Sequence, residues 1–257
     1  MYDEKFLLHS FQRRMQETYC FSLEEYLKII EKNIDEANKF IKSLNINFSE
    51  FFRNPLTFAV LERIVFPALI QKKRNANRKE IRIWSAACAE GQEAYSLAIM
   101  LEELINGDID KISYRIFATD IHKQLLTEAI NGKYYNSSLN KITLSRVDKW
   151  FIKRGDSYTI QPELKKYIDF SVFDLFNKQA NSPSASIFGD FDLVVCANLL
   201  FYYKPEYRKI ILEKITNTLS DGAYIMTGEA ERETLMNDNL IEIFPQSAIF
   251  QLRKLKK

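Results

Sequence analysis

The chain has 257 residues, 46% of them hydrophobic and 27% charged, with a formal net charge of +2. That length accommodates one large domain or one domain with a smaller companion, and the composition is that of a soluble globular protein. So small a net charge excludes bulk electrostatic attraction to nucleic acid. The longest uncharged apolar run, "LVVCANLLFYY", is about half of what a membrane span needs, which argues against membrane insertion.

The opening "MYDEKFLLHSFQRR" lacks a signal-peptide pattern, so a cytoplasmic location is expected. Residues 1–72 read as a small helical N-terminal domain without a β-rich run. "FSLEEYLKIIEKNIDEANKFIKSL" spaces Leu27, Ile30, Ile34 and Ala37 on one helical face, and Ser22 with Glu25 fits a capping box. A basic connector, "QKKRNANRKE", leads into a second domain over residues 73–257. Strand and helix signals alternate there: "IRIWSAA" then "GQEAYSLAIMLEELI", "YRIFATDI" then "KQLLTEAINGKY", "FDLVVCANLLFYY" then "KPEYRKIILEKITNTLSDG", and last "AYIMTGEA" and "AIFQLRK". This predicts an α/β fold, a mostly parallel sheet with helices on both faces. Short strand-like pieces around 150–172 suggest a small antiparallel insert.

Three cysteines, Cys20, Cys88 and Cys196, form no disulfide framework and read as buried thiols in a reducing compartment. Only two histidines occur, His9 and His122, and no metal-ligand spacing appears. Seven glycines stand where average usage gives roughly 18. Gly91, Gly222 and Gly228 are therefore each expected at a turn that requires them.

In a doubly wound sheet, ligands bind beyond the carboxyl ends of the strands. The first strand ends in "AACAEGQE", where Ala86, Ala87, Ala89 and Gly91 allow close approach of a ligand. This is not the glycine fingerprint of a dinucleotide site, and Glu90 and Glu93 place negative charge where a pyrophosphate wants none. The second strand ends at Asp120, which can accept from ribose hydroxyls. Glu93 and Asp120 together suit S-adenosylmethionine, which carries an ammonium, a sulfonium and a ribose but no phosphate. Taken singly, Glu93 is equally a helix-start acid favoured by the dipole and Asp120 a helix cap.

"RIWSAACAEGQEAYSLAIML", "IFATDI", "FDLVVCANLLFYY", "NFSEFFRNPLTFAVL" and "TLSDGAYIMTGEAE" together resemble the CheR family of chemoreceptor glutamate methyltransferases, in order over roughly residues 5–255. The resemblance implies a Rossmann-like methyltransferase fold with a helical N-terminal domain, truncated here, and a small antiparallel β insert. It implies that Asn47, Ser49 and Arg53 reach over the cofactor from the N-terminal segment. Glu93 and Asp120 hold the methionine side and the ribose, Ala87 lies in the cofactor loop, and Asp174 and Leu175 stand beside the adenine. Asn198 and Leu199 line the catalytic strand end, and Tyr202 holds the place of the active-site tyrosine. Three departures stand out: Ser49 for threonine, Asp174 for asparagine, and Ala197 for an arginine that removes a cation near the acceptor.

A glutamate side chain is already ionised at neutral pH, so such a reaction needs alignment and a water-poor cleft more than a base. Arg53 can hold a carboxylate by paired hydrogen bonds, or can equally occupy the solvated face of a helix. Tyr202 can donate a hydrogen bond, or be an amphipathic core residue. Arg13 and Arg14 form a short basic face that is otherwise ordinary solvated surface. The expected protein is a monomeric S-adenosylmethionine-dependent O-methyltransferase of glutamate side chains, acting on the cytoplasmic domain of a chemoreceptor in signal transduction. Ala197 motivates the alternative of a non-catalytic or divergent cofactor-binding module with another protein partner. A nucleotide-dependent oxidoreductase is disfavoured by the missing glycines, and a small-molecule or nucleic-acid acceptor is the remaining possibility.

Overall fold

The computed structural model describes residues 1–44, 49–105, 107, 112–186, 189–236 and 240–252. Three helices begin the chain: α1 Glu4–Glu17, α2 Leu23–Lys32 and α3 Ile34–Ser43. Asp3 caps α1 by accepting from the Lys5 N–H at 3.0 Å. Ser22 accepts from the Glu25 N–H at 3.2 Å, and Glu25 reaches back one residue further than a capping box requires, to the Phe21 N–H at 3.0 Å.

The long periodic segment is two helices, not one. Asn33 ends α2 and caps α3, its side chain accepting from the N–H groups of Asp35 and Glu36 at 3.1 Å. The break resets the helical phase, so the expected face does not form: Leu27 and Ile34 are exposed, while Tyr26 and Glu36 are buried. The basic face dissolves for a related reason. Arg14 is tied to the Glu36 carboxylate at 2.6 Å and 2.7 Å, with the Tyr26 hydroxyl donating to the same group at 2.8 Å. Arg13 donates to the Ser43 carbonyl at 2.8 Å.

Two further helices, α4 Pro55–Val60 and α5 Phe66–Arg74, are joined by a π-helical turn over Leu61–Val65. Pro67 has no N–H to give, and its ring would crowd the carbonyl four residues back. A widened turn ahead of it relieves both problems.

Alternation follows: β1 Glu80–Ala86, α6 Gln92–Ile105, β2 Ser113–Asp120, α7 Lys123–Asn131, β3 Lys133–Tyr135, α8 Leu144–Trp150, β4 Phe151–Arg154, β5 Ser157–Ile160, α9 Pro162–Lys165 and β6 Ile168–Val172. The chain closes with β7 Phe191–Cys196, α10 Pro205–Thr216, β8 Leu219–Thr227, α11 Arg232–Leu235, β9 Leu240–Glu242 and β10 Ile249–Leu252. The main sheet has the order β6-β2-β1-β7-β8-β10-β9. Its first five members run parallel, and β10 pairs antiparallel with β8 and β9. A three-stranded antiparallel sheet, β3-β5-β4, stands apart from it. The insert thus draws one strand from Lys133–Tyr135, while Ile168–Val172 joins the main sheet beside β2.

The strand period of two sorts the core. Ile81 and Ile83 of β1 face a layer containing α6, Phe51 and Phe66. Trp84 and Ala86 face the opposite layer with Phe117, Phe191, Ile211 and Ile215. Buried Asp192 is held by Lys73 at 2.8 Å and by the Arg82 N–H at 3.0 Å, fastening α5 and β1 to β7. Among the described residues no helix is long and apolar enough to cross a membrane. The order reverses at β1, with β2 on one side and β7 on the other. A crevice beyond the carboxyl ends of β1, β2 and β7 is what such a reversal creates.

Candidate functional site

That crevice is a cavity of about 230 Å3. It is lined by Ser49, Arg53, Ala87, Glu93, Asp120, Asp174, Leu175, Asn198, Leu199 and Tyr202. The sequence expectation placed all of these at one site. Asn47 belongs to the same expectation and lies outside the described residues.

Local structure explains how each side chain arrives. Phe51 is fully buried, edge-on to Tyr134 at 4.9 Å and to Phe151 at 5.5 Å. Phe52 packs against Phe58 at 5.3 Å, and its N–H donates to the Ser96 hydroxyl at 3.1 Å. These two anchors pin the backbone to the antiparallel sheet and to α6, with Phe52 in the left-handed region at φ 48°. Arg53 is thereby held at the cavity wall. Its carbonyl accepts from Lys141, whose ammonium also pairs with Glu50 at 2.7 Å.

The loop after β1 bends through Ala87 at φ 63°, Ala89 at φ 48° and Gly91 at φ 87°. An added Cβ at Gly91 would stand 2.9 Å from the Ala129 Cβ, so glycine is required there by both backbone and space. The loop amides are spent inside the protein. The Cys88 N–H donates to the Thr119 carbonyl at 2.8 Å, the Ala89 N–H to Asp120 at 3.0 Å and the Gly91 N–H to the Cys88 carbonyl at 2.9 Å. A phosphate nest needs such groups unspent and pointing at the ligand. This loop presents carboxylates instead. Glu90, expected to add to that charge, turns aside: its carboxylate accepts from Gln92 at 3.1 Å and it does not line the cavity.

Glu93, at the start of α6, accepts from the Ser85 hydroxyl at 2.7 Å. Burial pushes its carboxyl up to about 7, with the Ser85 bond and the positive charge of Arg53 pulling it back. Asp120 ends β2 with both oxygens engaged, one by the Ala89 N–H at 3.0 Å and the other by the His122 N–H at 2.9 Å. Asp120 therefore pins the loop and caps the turn, and it keeps lone pairs facing the cavity. Asp174 accepts from the Phe176 N–H at 2.8 Å, the Asx-turn bond that presents Leu175 to the cavity. Burial raises the pKa of Tyr202, against the pull of Arg53, so its hydroxyl keeps its proton at neutral pH. The thiols of Cys88 and Cys196 are driven up by burial and then by neighbouring carboxylates, which leaves them without nucleophilic character.

Among the described lining residues, Glu50, Glu93, Asp120 and Asp174 carry carboxylates and Arg53 is the one permanent cation. An acidic cavity with two small left-handed alanines and no spent-free amide nest fits a cationic nucleoside that lacks phosphate. S-adenosylmethionine meets those terms.

Several lining residues carried no sequence signal strong enough to find them. His122 lines the cavity, with Nδ1 3.0 Å from Asp120. Met1 and Tyr2 line it too, because the first residues pair with the tyrosine loop: the Asp3 N–H donates to the Tyr202 carbonyl at 2.8 Å and Tyr2 stacks on Tyr203 at 5.5 Å. Nothing in "MYDEK" announces that long-range pairing.

A family model described as "CheR methyltransferase, SAM binding domain" matches residues 47–249. A "Chemotaxis protein methyltransferase" of Listeria innocua is 34% identical over 208 residues, covering 81% of this chain and 74% of the relative. "Chemotaxis protein methyltransferase 1" of Pseudomonas aeruginosa is 31% identical over 195 residues, covering 74% and 68%. The "Chemotaxis protein methyltransferase" of Escherichia coli is 28% identical over 225 residues, covering 85% and 73%.

Proposed function

The chain belongs to the CheR methyltransferase family and is an S-adenosylmethionine-dependent methyltransferase; we propose that the group it methylates is a glutamate side chain in the cytoplasmic domain of a chemoreceptor. The observation that carries this reading is one cation, Arg53, close enough to Tyr202 to act on its hydroxyl, in the lining of an otherwise acidic cavity. A carboxylate acceptor has one place to dock there.

When bound, the cofactor supplies a methyl group made electrophilic by its sulfonium. The Glu93 carboxylate would hold its ammonium end and Asp120 its ribose hydroxyls. Arg53 orients the incoming carboxylate through charge-assisted hydrogen bonds. The acceptor has an ordinary pKa near 4.3 and arrives ionised, so no residue has to remove a proton. Tyr202 keeps its own proton and donates a hydrogen bond without acting as a base. The task left to the chain is alignment of donor and acceptor in a cleft closed to water. On this reading the protein works as a monomer in the cytoplasm, on the receptor's cytoplasmic domain.

Incubation of the pure protein with methyl-labelled cofactor and a chemoreceptor cytoplasmic fragment tests this. Label should enter the fragment and be released by mild alkali, as a carboxyl ester requires. Alkali-stable label would refute a glutamate acceptor. Label entering other proteins of a lysate and never the receptor fragment would refute the receptor.

A further inference from the structure

We propose that Glu231 is a positioning residue for methyl transfer: its buried carboxylate clamps the loop that carries Asn198 and Tyr202 into the cavity. The clamp rests on the methyltransferase reading of that cavity, although Glu231 does not itself line it.

Glu231 is 1% exposed, at the end of the short turn Glu229–Glu231 that follows β8. One carboxylate oxygen accepts from the Asn198 N–H at 2.7 Å, the Gly228 N–H at 2.9 Å and the Thr227 hydroxyl at 3.0 Å. The other accepts from the Phe201 N–H at 3.3 Å. Two of these four donors, Asn198 and Phe201, belong to the loop after β7. Asn198 sits in the left-handed region at φ 61°, a conformation a non-glycine residue keeps only when its surroundings hold it. An ionised carboxylate is a strong multiple acceptor, able to satisfy several backbone donors at once. A neutral side chain of the same size could not.

The neighbouring backbone is fitted to the clamp. A Cβ added at Gly228 would stand 2.7 Å from the Asn198 side-chain nitrogen Nδ2, 2.8 Å from the Glu231 carboxylate and 3.0 Å from the Asn198 backbone nitrogen. Glycine is needed there for close approach, since Gly228 has ordinary extended φ. The Tyr202 ring, beyond the clamped segment, is boxed by Phe6 at 4.8 Å and Phe201 at 4.1 Å. The loop is thus fixed at Asn198 and Phe201 by Glu231 and at Tyr202 by aromatic packing. Loss of the carboxylate frees the first two points while the core strand beneath remains.

The test is Glu231→Gln, whose amide offers one acceptor oxygen and turns donors toward donors. Native-state hydrogen exchange at the Asn198 and Phe201 amides should accelerate by roughly tenfold or more. Methyl-transfer kcat should fall by about tenfold or more, with S-adenosylhomocysteine affinity changed by less than about fivefold. Thr227→Val, which removes one hydroxyl donor and leaves the loop amides, should keep kcat within about twofold. Should Glu231→Gln fail to fold, Gly228→Ala wedges the same contact with the carboxylate intact, and the same exchange and kcat changes are expected. Unchanged exchange at Asn198 and Phe201, or a kcat equal to wild type, overturns the clamp. The exchange readout needs no turnover, so a wild-type protein that methylates no receptor would sink the proposed substrate and leave this inference to be judged separately.

Discussion

The carboxyl of Glu93 titrates near 7 in the cofactor-free cavity because burial disfavours its charged form. The contact proposed for it, with the ligand's ammonium, needs that charged form. Binding therefore draws the Glu93 pKa down, and affinity must rise with pH through the neutral range. At pH 8 about nine-tenths of a group with this pKa is ionised and at pH 6 about one-tenth, so S-adenosylhomocysteine should bind about tenfold more tightly at pH 8. Calorimetry in buffers of different ionisation heat should also register proton release, which is larger at pH 6, where the unliganded carboxyl is mostly protonated, and fades as pH rises through 7. The stability sign is opposite. A carboxyl with a raised folded-state pKa makes the unfolded chain ionise first, so stability falls as pH rises from the ordinary carboxylate range toward 7 and is flat above. The penalty is on the order of 2 kcal/mol, discounted because the carboxylate opens on cavity water. Glu93→Gln should thus flatten the pH profile, weaken binding at pH 8 by roughly tenfold to a hundredfold, and raise the melting temperature of the cofactor-free protein at that pH. His122→Gln is the control for the imidazole that also lines the cavity, and should leave the slope in place. A wild-type affinity flat from pH 6 to 8, or the same slope in Glu93→Gln, would refute the reasoning.

Arg53→Ala should reduce kcat by about a hundredfold while S-adenosylhomocysteine affinity moves by only a few-fold; equal wild-type and mutant rates, measured by label transfer, would remove Arg53 from the reaction. Asp120→Ala deletes the proposed ribose contact and also releases the Ala89 and His122 amides it holds, so calorimetry should show affinity falling at least about tenfold. Ala197 lines the cavity beside Asn198. Ala197→Arg adds a second cation there and should lower KM for the acidic acceptor by roughly threefold to tenfold; a raised KM would mean the acceptor is not held as a carboxylate at that wall.

Much of the parallel sheet was legible because buried strands of this kind read as continuous apolar runs, and "IRIWSAA" and "FDLVVC" are such runs. The acids at the strand ends were legible for a different reason: Glu93 follows "IRIWSAA" across one short loop and Asp120 ends "YRIFATD", so in a parallel sheet chain order alone puts both at the carboxyl end. Periodicity failed where a cap intervened. Asn33 reads as an ordinary polar residue inside a helical pattern, yet its side chain ends one helix and starts the next, and the apolar stripe counted across it has no structural meaning. Contacts distant in sequence were not legible at all. No local pattern ties Tyr2 to Tyr203 or Arg14 to Glu36. Glu231 lies between these extremes. "GEAE" has the spacing of a capping box, with Gly228 at its start and Glu231 three residues on. That spacing predicts a bond to the Gly228 N–H and says nothing of Asn198, which only the pairing of β7 with β8 brings alongside.

The same pairing explains why the reactive apparatus sits where it does. Left-handed non-glycine residues are costly, on the order of 1–2 kcal/mol each. Phe52, Ala87, Ala89 and Asn198 all adopt that conformation around a single cavity. Each is adjacent to a group that the fully buried layers hold still: Phe52 to the Phe51 anchor, Ala87 and Ala89 to the end of β1, Asn198 to the end of β7. The core stabilises these bends because β1 and β7, buried along their length, cannot shift without opening both apolar layers. Ala87, Ala89 and Asn198 among them line the cavity, and Phe52 precedes Arg53, which also lines it. An acidic cavity would repel a carboxylate acceptor everywhere except beside Arg53. For the carboxylate acceptor proposed above, the strain and the charge pattern would therefore act on the same choice, docking beside Arg53.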